Sequence, residues 1–419
     1  MASHTKNKIR PAAVEIPEGF VGMLRETLGV ADTEALLRAL DGEPSVSVRV
    51  NRRKVNDMDG FLRRFGDYGP KPVPWCASGF YLDRRPDFVH DPMLHAGAYY
   101  VQEAASMIYE TIVENLSLPE RHLNVLDLCA APGGKTTAIL NGLLGKDYTL
   151  VANEFDGKRV HILKENVDKW GDPDVVVTNS PTDRFRSLAD CFDVVAVDAP
   201  CSGEGMMRRE PVARSQWSEG LVARCAAMQR DILADAIGCL RPRGVLIYST
   251  CTFNETENEA NTRWLTEKYG LETIVGPRHF YPHREQCEGL FTAVFRKRAG
   301  DECIDSQPVP NADQLIKMLN KARVRILRAG TETISRKGSV EIPSSRQVLA
   351  HDYDRERFPK VSLGMEAAVA YLKGNPLQLD QEVPKGYVAV EYDGYPLGLV
   401  KNLGSRANNL YPAEWRIKN

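Results

Sequence analysis

The chain has 419 residues carrying 54 Lys and Arg against 56 Asp and Glu, a formal net charge of −2. That length accommodates about two to four domains with real cores, and 43% apolar with 26% charged residues excludes a disordered, collagen-like or coiled-coil chain. The near-neutral balance also excludes a protein coated in positive charge, so any affinity for nucleic acid must rest on local groups.

From the start, MASHTKNKIRPAAVEIPEGF is basic without an apolar stretch and does not read as a secretory signal. Phe20, Met23, Leu24, Thr27 and Leu28, then Ala35, Leu36, Ala39 and Leu40, recur at helical spacing. Ser45–Asn51 alternates, and the change of period at Gly42–Pro44 predicts a small α+β unit over residues 1–95. Residues 96–298 alternate short apolar runs with helical segments. The runs are Val125–Leu128, Thr149–Ala152, Val175–Val177, Val194–Val197 and Val245–Tyr248; the helical segments include Thr136–Leu144, Lys158–Trp170 and Leu221–Leu240. Runs apolar on both faces and separated by helices predict an α/β, Rossmann-like fold, a parallel sheet covered on both sides. Residues 299–312 (AGDECIDSQPVPNA) suggest a linker, and Asp313–Arg328 a basic amphipathic helix within a 299–349 segment. Residues 350–419 are rich in Gly, Pro and Tyr; Tyr387–Tyr392 alternates before an Asp393-Gly394 turn, which predicts a small β-rich module.

No run of about 18 apolar residues is present, so no membrane-spanning helix is expected. The nine cysteines are an odd number, spread from Cys76 to Cys303 without a CxxC pair or a close His/Cys cluster. They read as reduced thiols of a cytoplasmic protein without a structural metal.

In parallel sheets of this kind, ligands sit at the carboxyl ends of the strands where strand order reverses. After the first run stands Cys129-Ala130-Ala131-Pro132-Gly133-Gly134-Lys135-Thr136, opening a helix. Its two glycines allow close backbone approach, and the helix start favours an anion. A P-loop would need a glycine where Cys129 stands, and a GxGxxG dinucleotide fingerprint is absent. S-adenosylmethionine, without phosphates, needs only a tight turn, amides for its carboxylate and an acid for its ribose. Glu154 supplies that acid at the end of the second run, twenty residues beyond Gly134, the usual offset for a ribose ligand.

Two later runs end in cysteine: Val194–Val197 leads into Asp198-Ala-Pro-Cys201-Ser-Gly-Glu-Gly205, and Val245–Tyr248 into Ser249-Thr250-Cys251-Thr252. A cysteine is most often a small buried apolar residue, but these two fall at the ligand-binding edge. Beside a methyl donor, a thiolate adding to C6 of a pyrimidine makes C5 nucleophilic, and elimination after methylation frees the thiol. An acid at the base's Watson–Crick edge, a role open to Asp198, would stabilise charge on the ring, and the base must leave its stack to enter.

Leu126–Thr136, Asp198-Ala-Pro-Cys-Ser-Gly203 and Tyr248-Ser-Thr-Cys-Thr252 together resemble the Sun-type RNA cytosine-C5 methyltransferases. Tyr100-Val-Gln-Glu-Ala-Ala-Ser106 and Glu257-Asn-Glu259 extend that resemblance over the central half of the chain. Val46–Asn51, His95–Tyr100 and the tail from Gly398 through Asn409 to Ile417 resemble the ribosomal RNA methyltransferase F branch, whose C-terminal module is an RNA-binding barrel of PUA type. The resemblance implies transfer of a methyl group from S-adenosylmethionine to C5 of a ribosomal RNA cytosine, leaving S-adenosylhomocysteine. It makes Cys251 the nucleophile and Cys201 the thiol that assists release. It places Asp198 and Lys135 against the cytosine, and lines the cofactor site with residues 129–135, Glu154 and Asp198. The family's acid after the third strand is replaced here by Thr178-Asn-Ser-Pro-Thr-Asp183, leaving Asn179 or Asp183 to meet the adenosine.

Outside the site, Lys317, Lys321, Arg323, Arg325, Arg328, Arg336 and Lys337, with Arg208 and Arg209 second, are candidates for tracking RNA phosphates; the bland reading is a solvated charged face. The implied protein is a monomer acting on RNA without metal or membrane. The rivals are the same chemistry on tRNA, a non-catalytic ribosome-assembly factor, and a nucleotide hydrolase.

Overall fold

The computed structural model describes residues 15–299 and 309–418. Residues 1–14, residues 300–308 of the expected linker, and with them Cys303, lie outside the described residues.

The chain opens with a helical hairpin, α1 (Glu18–Leu28) and α2 (Val30–Leu40), joined at Gly29. Its buried Phe20, Leu24, Leu36 and Leu40 pack on Met207, Trp217, Phe253 and Tyr281, far along the sequence. The alternating stretch forms β1 (Val46–Val50), followed by α3 (Met58–Arg63), β2 (Lys71–Val73), β3 (Cys76–Leu82), α4 (Pro92–His95) and β4 (Tyr99–Val101). The sheet order is β2-β3-β1-β4. Val48 and Val50 face a local core with Phe61, Phe65 and Tyr99. The opposite face of β1 is polar yet buried: Arg49 donates from Nε to Gln102 Oε1 (2.7 Å) and from its guanidinium to Thr137 Oγ1 (2.6 Å). Alternation therefore places the strand, while its polar face is covered by the next unit.

That unit begins with α5 (Ile108–Glu114) and continues β5 (Leu123–Asp127), α6 (Gly134–Gly142), β6 (Tyr148–Asn153), α7 (Arg159–Trp170), β7 (Val175–Thr178) and β8 (Phe192–Asp198). It proceeds through α8 (Pro211–Gln216), α9 (Glu219–Cys239), β9 (Leu240–Thr250), α10 (Glu259–Tyr269), β10 (Glu272–Phe280) and β11 (Leu290–Arg296). Each apolar run anticipated from the sequence falls in a strand of one sheet, except that Leu128 lies just past the end of β5. Alternate strand residues serve its two faces: Val125, Leu150, Val175 and Val194 pack with α5–α7, and Leu126, Val151, Val176 and Val195 with α9. The order is β10-β11-β9-β8-β5-β6-β7-β12, where β12 (Ile326–Ala329) belongs to the segment beyond. Strands β5 to β9 are mutually parallel; β11 and β12 run antiparallel to them at the two edges of that set, and β10 pairs antiparallel with β11. Strand order reverses between β5 and β8, which opens the crevice at their carboxyl ends.

The helix expected over Asp313–Arg328 is shorter. α11 (Ala312–Lys321), closed at its start by an Asn311/Gln314 capping box, buries Leu315 and Leu319. It stops where Arg323 turns left-handed (φ 58°), and Val324 and Ile326, β-branched residues, carry the chain into β12 beside β7. A hairpin of β13 (Ile334–Lys337) and β14 (Val340–Pro343) comes next. The C-terminal module holds β15 (Lys360–Ser362), α12 (Met365–Leu372), β16 (Gly386–Tyr392), β17 (Tyr395–Asn402) and β18 (Ala407–Asn409), its strands forming one four-stranded sheet. Asp393 (φ 49°) and Gly394 (φ 78°) form the β16–β17 turn in the left-handed conformations that an Asp-Gly hairpin adopts. No helix among the described residues is long and apolar enough to cross a membrane.

Candidate active site

The loop after β5 hangs from its neighbours by backbone bonds, Leu128 N–H to Ala196 O (2.9 Å) and Ala130 N–H to Asn153 O (2.8 Å). Gly133 starts α6 at φ 110°, and a Cβ there would sit 3.2 Å from Leu163, so the turn needs glycine. Helix α7 braces the loop from outside: Arg159 donates to Ala131 O (2.6 Å) and Asn166 to Pro132 O (2.8 Å). Beneath it, Thr136 donates its hydroxyl to Asp127 (2.6 Å), and burial pushes the Asp127 carboxyl up to about 7. Burial also lifts the Cys129 thiol well above its ordinary range.

Glu154 closes β6. One of its carboxylate oxygens accepts from Asp156 N–H (2.8 Å); the other lies 3.7 Å from Arg159. Asn179 stands beside it, donating to Glu154 O (2.7 Å) and Phe155 O (2.9 Å), whereas Asp183 lies in the short helical turn beyond. These residues fit a phosphate-free nucleoside cofactor: amides at a helix start for a carboxylate, and an acid at the adjacent strand end for ribose hydroxyls. Lys135, which in a phosphate-binding loop would reach toward phosphates, is committed elsewhere.

Its ammonium lies 2.8 Å from Asp198 at the end of β8. Burial works against the Lys135 charge, but the Asp198 carboxylate more than offsets it and raises the Lys135 pKa. The other Asp198 oxygen accepts from Ser249 Oγ (2.7 Å), which in turn meets Tyr109 OH (2.8 Å). Cys201 and Cys251 are both free thiols, with sulfurs 2.9 Å apart at the ends of β8 and β9. The hydrogen bond to Cys251, then burial, raises the Cys201 pKa well above a thiol's usual range. Either thiol can donate to the other across this contact. The arrangement can present one sulfur to an electrophilic ring carbon with a second sulfur and an acid–ammonium pair alongside.

Ser249 and Tyr109 are absent from the residues that spacing points to; Ser249 lies inside the Tyr248–Thr252 motif, but only folding brings Tyr109 from α5. Glu204 and Glu257, both fully buried, knit together the loops behind the two thiols. Their signal in the sequence was their place inside the Cys201–Gly205 and Glu257–Glu259 motifs, which assigned them no role.

The basic candidates divide. Arg328 is buried, bonding Asp168 (2.8 Å) and the carbonyls of Val175 and Asp172, and Arg208 is held against Glu288 (2.7 Å) and Cys287 O. Neither is available to phosphate; each neutralises an acid during folding. Arg209 also faces Glu288 (3.2 Å), and Arg336 pairs with Glu341 (2.9 Å). Among the described residues Lys317, Lys321, Arg323 and Arg325 meet no acid in this way, and Arg325 reaches Asn179 (3.4 Å) at the cofactor edge. Among the described residues no group of three or more His, Cys, Asp or Glu could hold a metal ion.

Comparison with known proteins agrees in all three parts of the chain. Residues 16–104 match the model of the N-terminal domain of 16S rRNA methyltransferase RsmF, residues 115–296 that of 16S rRNA methyltransferase RsmB/F, and residues 358–417 that of the methyltransferase RsmF PUA domain. Ribosomal RNA small subunit methyltransferase F of Enterobacter sp. (strain 638) is 30% identical, covering 96% of both chains. The protein of the same name from Escherichia coli O17:K52:H18 is 30% identical over 99% of this chain and 98% of its own. Among solved structures, a methyltransferase homologue from Pyrococcus horikoshii superimposes with a TM-score of 0.60 at 24% identity, over 69% of this chain and all of that one. NSun6 of Pyrococcus horikoshii, with SFG, gives 0.57 at 21% identity, over 68% of this chain and 99% of its own.

Proposed function

The chain belongs to the family of ribosomal RNA small subunit methyltransferase F, and from that premise we propose how its own residues carry the activity. It is an S-adenosylmethionine-dependent RNA methyltransferase that modifies C5 of a cytosine in small-subunit ribosomal RNA. S-adenosylmethionine supplies the methyl group; the 129–135 loop, Glu154, Asn179 and Asp198 would hold it. Cys251 adds to C6 of a flipped-out cytosine, while Asp198, fixed between Lys135 and Ser249, faces the exocyclic amine and N3. The addition makes C5 nucleophilic; once C5 carries the methyl group its proton is lost to a base, the C–H electron pair re-forms the C5–C6 double bond, and the S–C6 pair returns to Cys251, with Cys201 assisting that release. We take the protein to act as a monomer in the cytoplasm.

The observation that carries this reading is the 2.9 Å approach of two free thiols at the strand ends beside the Lys135–Asp198 pair. Cys239, by contrast, is buried at the end of α9 and directs its thiol at a backbone carbonyl, Ala236 O (3.2 Å), away from the carboxyl ends of the strands. The test is Cys201→Ala, which should trap a covalent RNA–protein adduct stable to denaturation, whereas Cys251→Ala should form none. Absence of an adduct with any RNA would favour an RNA-binding assembly factor. Bisulfite sequencing of RNA from cells with and without the gene would separate ribosomal from transfer RNA targets.

A further inference from the structure

Two acids that none of the catalytic steps uses lie behind the thiols. Glu204 comes after Cys201, yet its carboxylate grips the other thiol's loop. It accepts from Phe253 N–H (2.6 Å), Asn254 N–H (3.1 Å) and the Thr252 hydroxyl, and also from Asn254 Nδ2 (2.8 Å) and Trp217 Nε1 (2.9 Å). Glu257 comes after Cys251 and reaches the opposite way, accepting from Ser202 N–H (3.1 Å), from Gln229 Nε2 (2.6 Å) and from Asn254 Nδ2 (2.8 Å). The two loops also meet directly. Gly205 N–H donates to Cys251 O (2.7 Å), and a Cβ on Gly205 would stand 2.9 Å from that oxygen.

Both carboxylates are fully buried, and the donors that satisfy them are neutral. Burying two such carboxylates is a costly way to join two loops that apolar contact could join. A fully satisfied polar network, however, specifies one geometry where apolar packing tolerates several. The separation of the two sulfurs is the quantity these bonds determine, since each acid is anchored on one thiol's loop and binds the other's backbone.

We propose that Glu204 and Glu257 are reciprocal positioning residues that set the register of the two thiols, Glu204 placing Cys251 for attack and Glu257 placing Cys201 for release. The inference rests on the proposed roles of the two cysteines. Neither acid touches the substrate; each acts through the loop it binds.

The test uses the full-length protein, S-adenosylmethionine and small-subunit RNA, and separates adduct formation from adduct release in single-turnover reactions. Glu257→Gln should form the Cys251 adduct at the wild-type rate but release it on the order of 10²-fold more slowly, the loss expected from a displacement of about 1 Å. Glu204→Gln, made in the Cys201→Ala background, should slow adduct formation by a similar factor. Binding of S-adenosylmethionine, read by equilibrium dialysis, should be unchanged in both. The Glu204→Asp and Glu257→Asp variants keep the charge and should show the same split more weakly, which serves if a Gln variant does not fold. Equal losses in both steps, or in neither, would overturn the positioning roles while leaving the cysteine assignments intact. If Cys201→Ala alone forms no adduct, the cysteine assignments fail and this inference falls with them.

Discussion

Lys135 and Asp198 should act as one unit, and a double-mutant cycle can read that directly. Lys135 Nζ lies 2.8 Å from Asp198, and the two side chains are only 15% and 29% exposed, so solvent screens the pair little. Asp198→Asn leaves one oxygen that can accept either from Lys135 or from Ser249, which donates to the other carboxylate oxygen (2.7 Å). Hydrogen bonds to charged groups contribute about 1.5–3 kcal/mol, and each 1.36 kcal/mol is tenfold in rate. Asp198→Asn and Lys135→Met should therefore each lower single-turnover methyl transfer about 10- to 150-fold, and the double variant should lose little more than the worse single one. The assay is transfer of labelled methyl to small-subunit RNA at saturating S-adenosylmethionine. Losses that simply multiply in the double variant would refute the coupling, and single variants within about threefold of wild type would refute the site.

Glu154→Ala should weaken S-adenosylmethionine binding about 10- to 150-fold, the loss of charge-assisted bonds to a ribose, with RNA affinity unchanged; isothermal titration measures both. Burial raises the Asp127 carboxyl to about 7, so its contribution to stability is full below about pH 4 and is lost as pH rises through about 7. Asp127→Asn, whose amide oxygen can still accept from Thr136, should flatten the fall of Tm between about pH 4 and 7; an unaltered profile would contradict the raised carboxyl. Replacing Arg323 and Arg325 with Ala should weaken RNA binding and reduce the slope of log affinity against log salt by about 1.4–1.8, and an unchanged slope would remove them from the RNA contact.

How much of this was readable in the chain depends on the range of the interactions. A strand buried on both faces must be apolar throughout, and it must end where polar groups begin. Residues 129–135, Glu154, Asp198, Cys201 and Cys251 could therefore be placed at the carboxyl ends of strands from short apolar runs and the first few residues beyond them. The Asp393-Gly394 hairpin and the helical spacing from Phe20 to Leu40 were legible for the same local reason. The helix expected through Arg328 was not: spacing carried it past Lys321, but pairing with the edge of β7 drew Ile326–Ala329 into the sheet.

Charge was the least legible property. Arg328 and Arg208 look in the sequence like Arg323 and Arg325, yet the first two are consumed by Asp168 and Glu288, while the others are not. A basic residue's availability is decided by which acid folding brings near it, and sequence order does not encode that distance. The same holds for the docking of α1 and α2 on Trp217 and Phe253, and for the crossed grip of Glu204 and Glu257 on the thiol loops. By itself the sequence determined which strand ends bear the reactive groups, because periodicity and turn chemistry act within a few residues. Only the tertiary structure decided which of those groups touch, since hydrogen bonds and ion pairs depend on separation in space.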